Sequence, residues 1–192
     1  MIDDDTAREQ VVAAADRLFY ARGVQAVGMD AVRTEAGVSL KRIYALFPSK
    51  DDLVVAVLHH RTAQWNHGVA AATARVGTPR EQLLAIFDFL ADWFGEEDFR
   101  GCAFINSFGE LGALSPRVAE TVREQKASFQ RYVAELVRSA GAPADLAPQL
   151  ALLAEGAQTT AAISGTPDAA RSARSAAETL IAAALERTPA AV

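Results

Sequence analysis

The chain has 192 residues, of which 51% are hydrophobic and 22% charged, so it can bury an apolar core and is not disordered as a whole. A single cysteine excludes an internal disulfide and a four-cysteine zinc site, and it fits a reducing compartment. No uncharged run is long enough to cross a bilayer, and residues 1–10 carry three aspartates rather than a basic leader. We therefore expect a cytoplasmic protein that makes no membrane contact.

Apolar residues recur at helical spacing along almost the whole chain, which predicts an all-α fold with about nine helices and no strand. The predicted helices cover residues 6–22, 29–36, 40–47, 49–75, 80–95, 101–114, 116–140, 144–163 and 168–187. The helix over residues 101–114 contains three glycines, so we expect it to be short or irregular. Ser49 and Asp52 have the spacing of a capping box, which marks the start of the fourth helix.

The net charge of −5 is unevenly distributed along the chain. Residues 1–50 contain seven Lys and Arg and seven Asp and Glu, whereas residues 51–192 contain twelve basic and seventeen acidic residues. Within residues 39–50 the charged residues are Lys41, Arg42 and Lys50, and none is acidic. An otherwise acidic protein therefore has a small basic segment, where contact with nucleic acid is expected.

Residues 29–47 predict two short helices joined by a tight turn at Gly37, which is a helix-turn-helix. Glycine suits this turn because it adopts a positive φ without steric cost. The positions expected to pack the helices together are Val32, Ala36, Val38, Ile43 and Leu46, whereas Lys41, Arg42, Tyr44 and Ala45 project outward. A helix of this kind fits the major groove of DNA, where its first residues reach base edges and its flanks reach phosphates.

At this point the chain resembles the TetR family of transcriptional regulators. The matching residues are Leu18-Phe19, Gly23, Met29-Asp30-x-Val32, Ala36-Gly37-Val38-Ser39, Ile43-Tyr44 and Phe47-Pro48-Ser49-Lys50-Asp51-Asp52-Leu53. The resemblance implies an N-terminal helix-turn-helix DNA-binding domain over residues 1–50 and an effector-binding and dimerisation domain over residues 51–192. It also implies a homodimer that binds double-stranded operator DNA and a small-molecule effector.

The resemblance further implies particular roles for residues in the basic segment. The DNA-binding residues would be Ser39, Leu40, Lys41, Arg42, Tyr44, Ala45 and Lys50, with phosphates held by Tyr44 and Lys50. Arg33 stands where the family has a small alanine, so its side chain must turn outward. The alternative is that the cations are merely solvated and that Tyr44 and Phe47 are core aromatics; we expect a core role for Phe47 alone.

Aromatic residues in the middle helices predict a pocket for a largely apolar effector. The predicted ligand-binding residues are Phe87, Leu90, Phe94, Phe104, Asn106, Phe108, Phe129 and Gln158, with Ser107, Glu110 and Thr159 as further polar candidates. The alternative is that each phenylalanine belongs to the core. Cys102 is expected to be a small core residue rather than a sensor, and the three histidines lack the partners of a metal site.

Small residues in the last two predicted helices would let a second subunit approach closely and form a four-helix bundle. These helix surfaces contain Leu152 and Leu180 together with the small residues Ala151, Ala154, Ala157, Ala161, Ala162, Ala173, Ala176, Ala177, Ala183 and Ala184. The alternative is that the same stripes pack inside one subunit.

These features together predict a dimeric transcriptional repressor that a small, largely apolar effector releases from a palindromic operator. The alternatives are a helical adaptor that binds protein without binding DNA, and an all-α enzyme with a hydrophobic pocket. The enzyme is disfavoured because the sequence has no evident catalytic constellation, phosphate-binding loop or metal-ligand set, so no cofactor is expected.

Overall fold

The computed structural model describes residues 2–187, and this part of the chain forms nine α-helices without a strand. They are α1 (Asp4–Arg22), α2 (Met29–Ala36), α3 (Leu40–Leu46), α4 (Lys50–Thr73), α5 (Pro79–Phe94), α6 (Ala103–Leu111), α7 (Pro116–Ser139), α8 (Leu146–Ser164) and α9 (Asp168–Glu186). The prediction of an all-α fold is confirmed. None of these helices is long and apolar enough to span a membrane.

The observed helix boundaries differ from the predicted ones by a few residues at most. α1 begins at Asp4 rather than at residue 6 because Asp3 caps it, with Thr6 N donating a hydrogen bond to Asp3 Oδ1 at 2.7 Å. α6 is short, as expected, but it is a regular helix of nine residues. Two of the glycines expected to disturb it, Gly101 and Gly112, lie outside its ends.

The chain divides into two compact units. The first unit contains the residues up to Gln64 together with Ala103–Glu124, and the second contains Trp65–Cys102 and the residues from Gln125 onward. The first unit therefore includes α1, α2, α3, all of α6 and the first parts of α4 and α7. The division into functional domains at residue 50 stays a prediction.

The core of the first unit packs α1 against α2 and α3. Its buried side chains include Val11, Leu18, Val32, Ile43, Phe47 and Leu53. The Arg8 guanidinium on α1 lies 4.7 Å from the centre of the Phe47 ring, and its Nη2 donates to the Leu46 carbonyl at 3.2 Å. The expected core role of Phe47 is confirmed, and these contacts fix α1 against the C-terminal end of α3.

An ion pair between Asp16 on α1 and Arg61 on α4 also lies in the first unit. Arg61 Nε is 2.6 Å from Asp16 Oδ1, and the two side chains are only 17% and 12% exposed. The Arg61 guanidinium also lies 4.1 Å from the centre of the Tyr20 ring. Because 45 positions separate the two charged residues, no local pattern in the sequence predicts this link between α1 and α4.

The start of α4 has the predicted capping box. Ser49 N donates to Asp52 Oδ2 at 3.0 Å, and Asp52 N donates to Ser49 Oγ at 3.1 Å. Arg117 at the start of α7 pairs with the same carboxylate. The hydrogen bond from the Ser49 hydroxyl and then that from Arg117 hold the pKa of the Asp52 carboxyl below its ordinary value.

We expect Asp52→Asn to lower Tm at neutral pH, because it removes a carboxylate whose ionised form is stabilised by folding. A carboxyl group whose pKa is lowered on folding contributes stability above the pKa of the unfolded chain, and this contribution is lost as the pH falls through the native pKa. The Tm difference from wild type should therefore be largest at neutral pH and disappear in strong acid. Asp51→Asn, which removes the same charge one residue earlier, is the control. A Tm difference that does not change with pH would contradict this expectation.

The core of the second unit is formed by α5, α8 and α9 together with the second half of α7. A group of aromatic rings packs against it. The Trp65 ring makes edge contacts with the rings of Phe89, Trp93 and Phe129 at centroid distances of 5.6, 5.8 and 5.4 Å. These aromatic side chains are therefore structural partners of one another within a single unit.

Most of the small residues predicted to form the dimer surface are instead buried inside the second unit. They are Ala151, Ala154, Ala157, Ala161, Ala173, Ala177 and Ala184. Their short side chains let α8 and α9 pack closely within one subunit, so the intramolecular alternative is correct for these seven positions. Leu152, Ala162 and Ala183 are exposed, and Ala176 and Leu180 are half-buried.

Candidate nucleic-acid interface

The helices α2 and α3 form a helix-turn-helix. Gly37 ends α2 with a φ of 65°, in the left-handed region that favours glycine, and its N–H donates to the Arg33 carbonyl at 3.1 Å. Ser39 then caps α3, because its Oγ accepts a hydrogen bond from Arg42 N at 3.3 Å. The Arg33 side chain is exposed with its Nε 3.3 Å from Asp30 Oδ1, which confirms that it turns outward.

Most of the predicted DNA-binding residues of α3 lie on its exposed face. Lys41 and Ala45 are exposed, Leu40 is half-buried, and Tyr44 is 44% exposed. Phe47, by contrast, is only 2% exposed. The alternative that Tyr44 is a core aromatic is therefore wrong, and its ring is accessible from outside the unit.

Arg42 does not project freely from α3, because the start of α1 holds its guanidinium. Its Nη2 donates to Asp4 Oδ1 at 2.8 Å and to the Ile2 carbonyl at 2.7 Å, and its Nε donates to Asp4 Oδ1 at 3.2 Å. The Arg42 side chain is 25% exposed, whereas that of Asp4 is 77% exposed. The expectation that Arg42 points outward without an acidic neighbour is corrected by this contact, since the partner lies 38 positions away in the sequence.

Lys50, at the start of α4, also has a partner within the first unit. Its Nζ donates to the Val24 carbonyl at 2.6 Å and lies 5.9 Å from the centre of the Phe19 ring. Burial lowers the pKa of the Lys50 ammonium, and the negative charges of Glu110 and Asp51 oppose that shift. An ammonium group has three donors, so the bond to Val24 leaves donors for a second acceptor such as a phosphate.

The turn between α1 and α2 is held by Glu110 on α6. Val24 N and Gln25 N donate to the two carboxylate oxygens of Glu110 at 3.0 and 2.8 Å, and Gln25 Nε2 donates to its carbonyl at 2.7 Å. Gly23, with a φ of 85°, permits this approach, because a Cβ at that position would lie 3.1 Å from Glu110 Oε1. Glu110, one of the polar candidates for the effector site, is thus engaged by backbone N–H groups.

A small cavity lies beside this contact in the first unit. Its volume is about 20 Å³, and it is lined by Asp16, Phe19, Tyr20, Val24, Val54, Val57, Leu58, Ala103, Asn106, Ser107 and Glu110. This volume accommodates about one water molecule, whereas effector pockets usually exceed about 300 Å³. The cavity is therefore too small to be the predicted effector pocket.

The residues predicted to bind an effector belong to both units. In the second unit, Phe87, Leu90, Phe94 and Phe129 are buried in the apolar core. Gln158 is 2% exposed, and its Nε2 donates to the Ala154 carbonyl at 3.1 Å. In the first unit Phe104 is buried, while Asn106 and Phe108 are exposed. Their binding of an effector stays a prediction.

The sequence is similar to family models and to characterised regulators along most of its length. Residues 11–57 match the model for bacterial regulatory proteins of the tetR family, and residues 79–177 match that for tetracyclin repressor-like C-terminal domains. The HTH-type transcriptional activator FasR of Mycolicibacterium smegmatis is 32% identical over 149 residues, which are 77% of this chain and 67% of that protein. The HTH-type transcriptional regulator BetI of Brucella anthropi is 34% identical over 92 residues, or 47% of either chain.

Solved structures show the same fold over nearly the whole chain. A TetR-family transcriptional regulator from Streptomyces coelicolor superimposes with a TM-score of 0.85 at 27% identity, covering 94% of this chain and 96% of that one. A tetR-type transcriptional regulator from Streptomyces avermitilis superimposes with a TM-score of 0.80 at 32% identity, covering 93% of this chain and 97% of that one.

The helix-turn-helix, the exposed face of α3 and these similarities define a DNA-binding transcriptional regulator rather than an enzyme or a protein-binding adaptor. The chain belongs to the TetR family. Regulators of this family bind DNA and small-molecule effectors, typically as dimers. The resemblance inferred from the sequence is confirmed.

Proposed function

We propose that the protein is a homodimeric repressor that binds a palindromic operator and is released from it by a small effector. The observation that carries the DNA-binding part is the exposed face of α3, with Lys41 and Tyr44 outward and Lys50 at the adjoining start of α4. A single unit of this size has too small a footprint for tight specific binding, so two copies related by a two-fold axis would read two half-sites.

Footprinting of the purified protein on the DNA upstream of its own gene, combined with transcription from the same promoter in vitro, tests this function. A repressor should protect two half-sites about one helical turn apart and lower transcription. Binding should also weaken steeply with salt, because phosphate contacts release counterions. Absence of salt-dependent binding to any promoter fragment would contradict the assignment of the operator function.

Activation is the second candidate, because the relative that matches 77% of this chain is named a transcriptional activator. The same transcription assay separates the two directions of control. A footprint upstream of the promoter elements with increased transcription would support activation, whereas a footprint that overlaps them with decreased transcription supports repression.

An effector response is supported by the position of Glu110 on α6. The same helix carries Phe104, Asn106 and Phe108, three of the predicted effector-binding residues, and Glu110 holds the turn that precedes the helix-turn-helix. A small shift of α6 on effector binding would therefore change the position of this turn, and α4 would act as a lever for the recognition helix. An effector that binds without changing operator affinity would contradict this coupling.

Dimerisation is supported by an apolar face of α8 that its own unit leaves uncovered. Leu152 and Ile163 are 72% and 83% exposed, and between them Gly156 has open space where a Cβ would stand. These positions share one face of the helix. A face with two large apolar side chains and a glycine permits close approach of a second copy.

Leu152→Arg should weaken the dimer by about 30-fold or more, because a two-fold interface would bury the introduced charge twice. Sedimentation equilibrium measures the dissociation constant, and binding to a duplex with two half-sites should weaken in parallel. Leu114→Arg is a matched control, since Leu114 is also 72% exposed but lies in the turn before α7. Equal dimer dissociation constants for Leu152→Arg and Leu114→Arg would show that this face of α8 is not the interface.

A further inference from the structure

We propose that Asp4 competes with DNA for Arg42 and thereby limits the affinity of the recognition helix for its operator. Asp4 accepts hydrogen bonds from both Nε and Nη2 of Arg42, and the Ile2 carbonyl accepts a second bond from Nη2. The neighbouring Lys41 is exposed and takes part in none of the ion pairs within residues 2–187. Of these two adjacent cations of α3, Arg42 is therefore bound by the start of α1, whereas Lys41 is exposed.

The contact competes with DNA because it uses the edge of the guanidinium that DNA would need. Arginine binds a phosphate or a guanine edge through two parallel N–H groups, and the Nε and Nη2 pair is one such edge. In this structure the same pair is directed at the Asp4 carboxylate. Arg42 can bind DNA through that edge only after the pair with Asp4 separates, and the freed carboxylate then stands near the phosphates and repels them.

The packing of α1 against α3 does not depend on the Asp4–Arg42 pair. Arg8 bonds to the Leu46 carbonyl at 3.2 Å and covers the Phe47 ring, which is buried in the core. Asp3, rather than Asp4, caps α1. Asp4→Asn should consequently leave the helices in place while it weakens the hold on the guanidinium, because a neutral amide oxygen replaces the charged acceptor.

The experiment measures the affinity of the full chain for a duplex selected by the wild-type protein from a random-sequence pool. Asp4→Asn should bind more tightly than Asp5→Asn, by a factor of about two to five for each half-site, which is the effect of a partly exposed ion pair. Asp5 is the matched control because it lies in the same turn, is exposed and has no ion pair in the described part of the chain. Removal of one negative charge near DNA affects both variants, so only the difference between them reports release of Arg42.

Asp4→Asn and Asp5→Asn are then compared in an Arg42→Ala background, which tests whether the effect of Asp4 acts through Arg42. The advantage of Asp4→Asn over Asp5→Asn should disappear there, because no guanidinium remains to be released. An advantage that persists, or equal affinities of the two variants in the wild-type background, would overturn the proposal.

Thermal unfolding provides a second measurement. Asp4→Asn should lower Tm slightly while it tightens binding to DNA, whereas a variant that merely damages the fold would lower both Tm and DNA affinity.

This inference rests on the proposed DNA contact of the recognition helix, and the two ideas fail differently. If the wild-type protein selects no duplex, the proposed operator function fails. If it selects one but Arg42→Ala binds that duplex as tightly as wild type, operator binding stands and the competition for Arg42 is disproved.

Discussion

Asp16→Ala should lower the free energy of unfolding by about 3 to 5 kcal/mol, because it leaves the Arg61 guanidinium largely buried without its counter-charge. The pair joins α1 to α4 with a distance of 2.6 Å, and both side chains are less than one fifth exposed. Loss of the pair should also loosen the attachment of α1 to α4. Urea denaturation followed by circular dichroism measures the change in unfolding free energy.

Asp88→Ala is the matched control for this substitution. Asp88 pairs with Arg174 in the second unit at the same distance of 2.6 Å, but the two side chains are 55% and 40% exposed. Solvent screens such a pair, so its loss should lower the free energy of unfolding by at most about 1 kcal/mol. Equal losses for Asp16→Ala and Asp88→Ala would show that burial does not determine the strength of the Asp16–Arg61 pair.

Lys50→Ala should weaken binding to all DNA sequences by about tenfold for each half-site, because Lys50 is proposed to donate a charged hydrogen bond to a phosphate. The slope of log affinity against log salt concentration should fall by about one for each subunit. This slope separates a phosphate contact from a structural role, since loss of the Val24 bond alone would not alter the number of counterions released. Arg131→Ala, which removes an exposed cation from α7 in the second unit, should leave the slope unchanged.

Arg42→Ala should differ from Lys50→Ala by also relaxing the preference for one base position. A bidentate arginine contact to a base edge discriminates by about 1 to 3 kcal/mol, whereas a phosphate contact carries no sequence information. Affinities for a set of duplexes with single base changes measure this difference. Uniform loss across all sequences from both substitutions would indicate that Arg42 reads no base.

Much of the helix-turn-helix could be predicted from the sequence because its signals are local. Gly37 ends α2 with the positive φ that its position requires, and Ser49 and Asp52 form the capping box expected from their spacing. The burial of Phe47 and the outward turn of Arg33 also follow the predictions. In each case the deciding interaction lies within a few residues or depends on helical periodicity alone.

The partners of the charged residues could not be predicted, because they lie far apart in the sequence. Arg42 forms a hydrogen bond with Asp4, which lies 38 positions away in the sequence. Lys50 and Glu110 form hydrogen bonds with Val24, which lies 26 and 86 positions away from them. Helical periodicity tells which face of a helix is polar, but it contains no information on which distant group that face will meet. The same limit explains why the alanine stripes of α8 and α9 did not distinguish an intramolecular core from a dimer surface.

Residue type and short spacing were enough to predict the helical class, the turn at Gly37, the capping box at Ser49 and the family, whereas the Asp3 cap that starts α1 was not predicted. Only the packing of remote segments showed that Arg42 and Lys50 are bound by other parts of the first unit. It also showed that α6 holds the turn before α2 through the Glu110 carboxylate. The physical reason is that the interaction energy of two charged groups depends on the distance between them. These distances are set only when remote segments of the chain pack together.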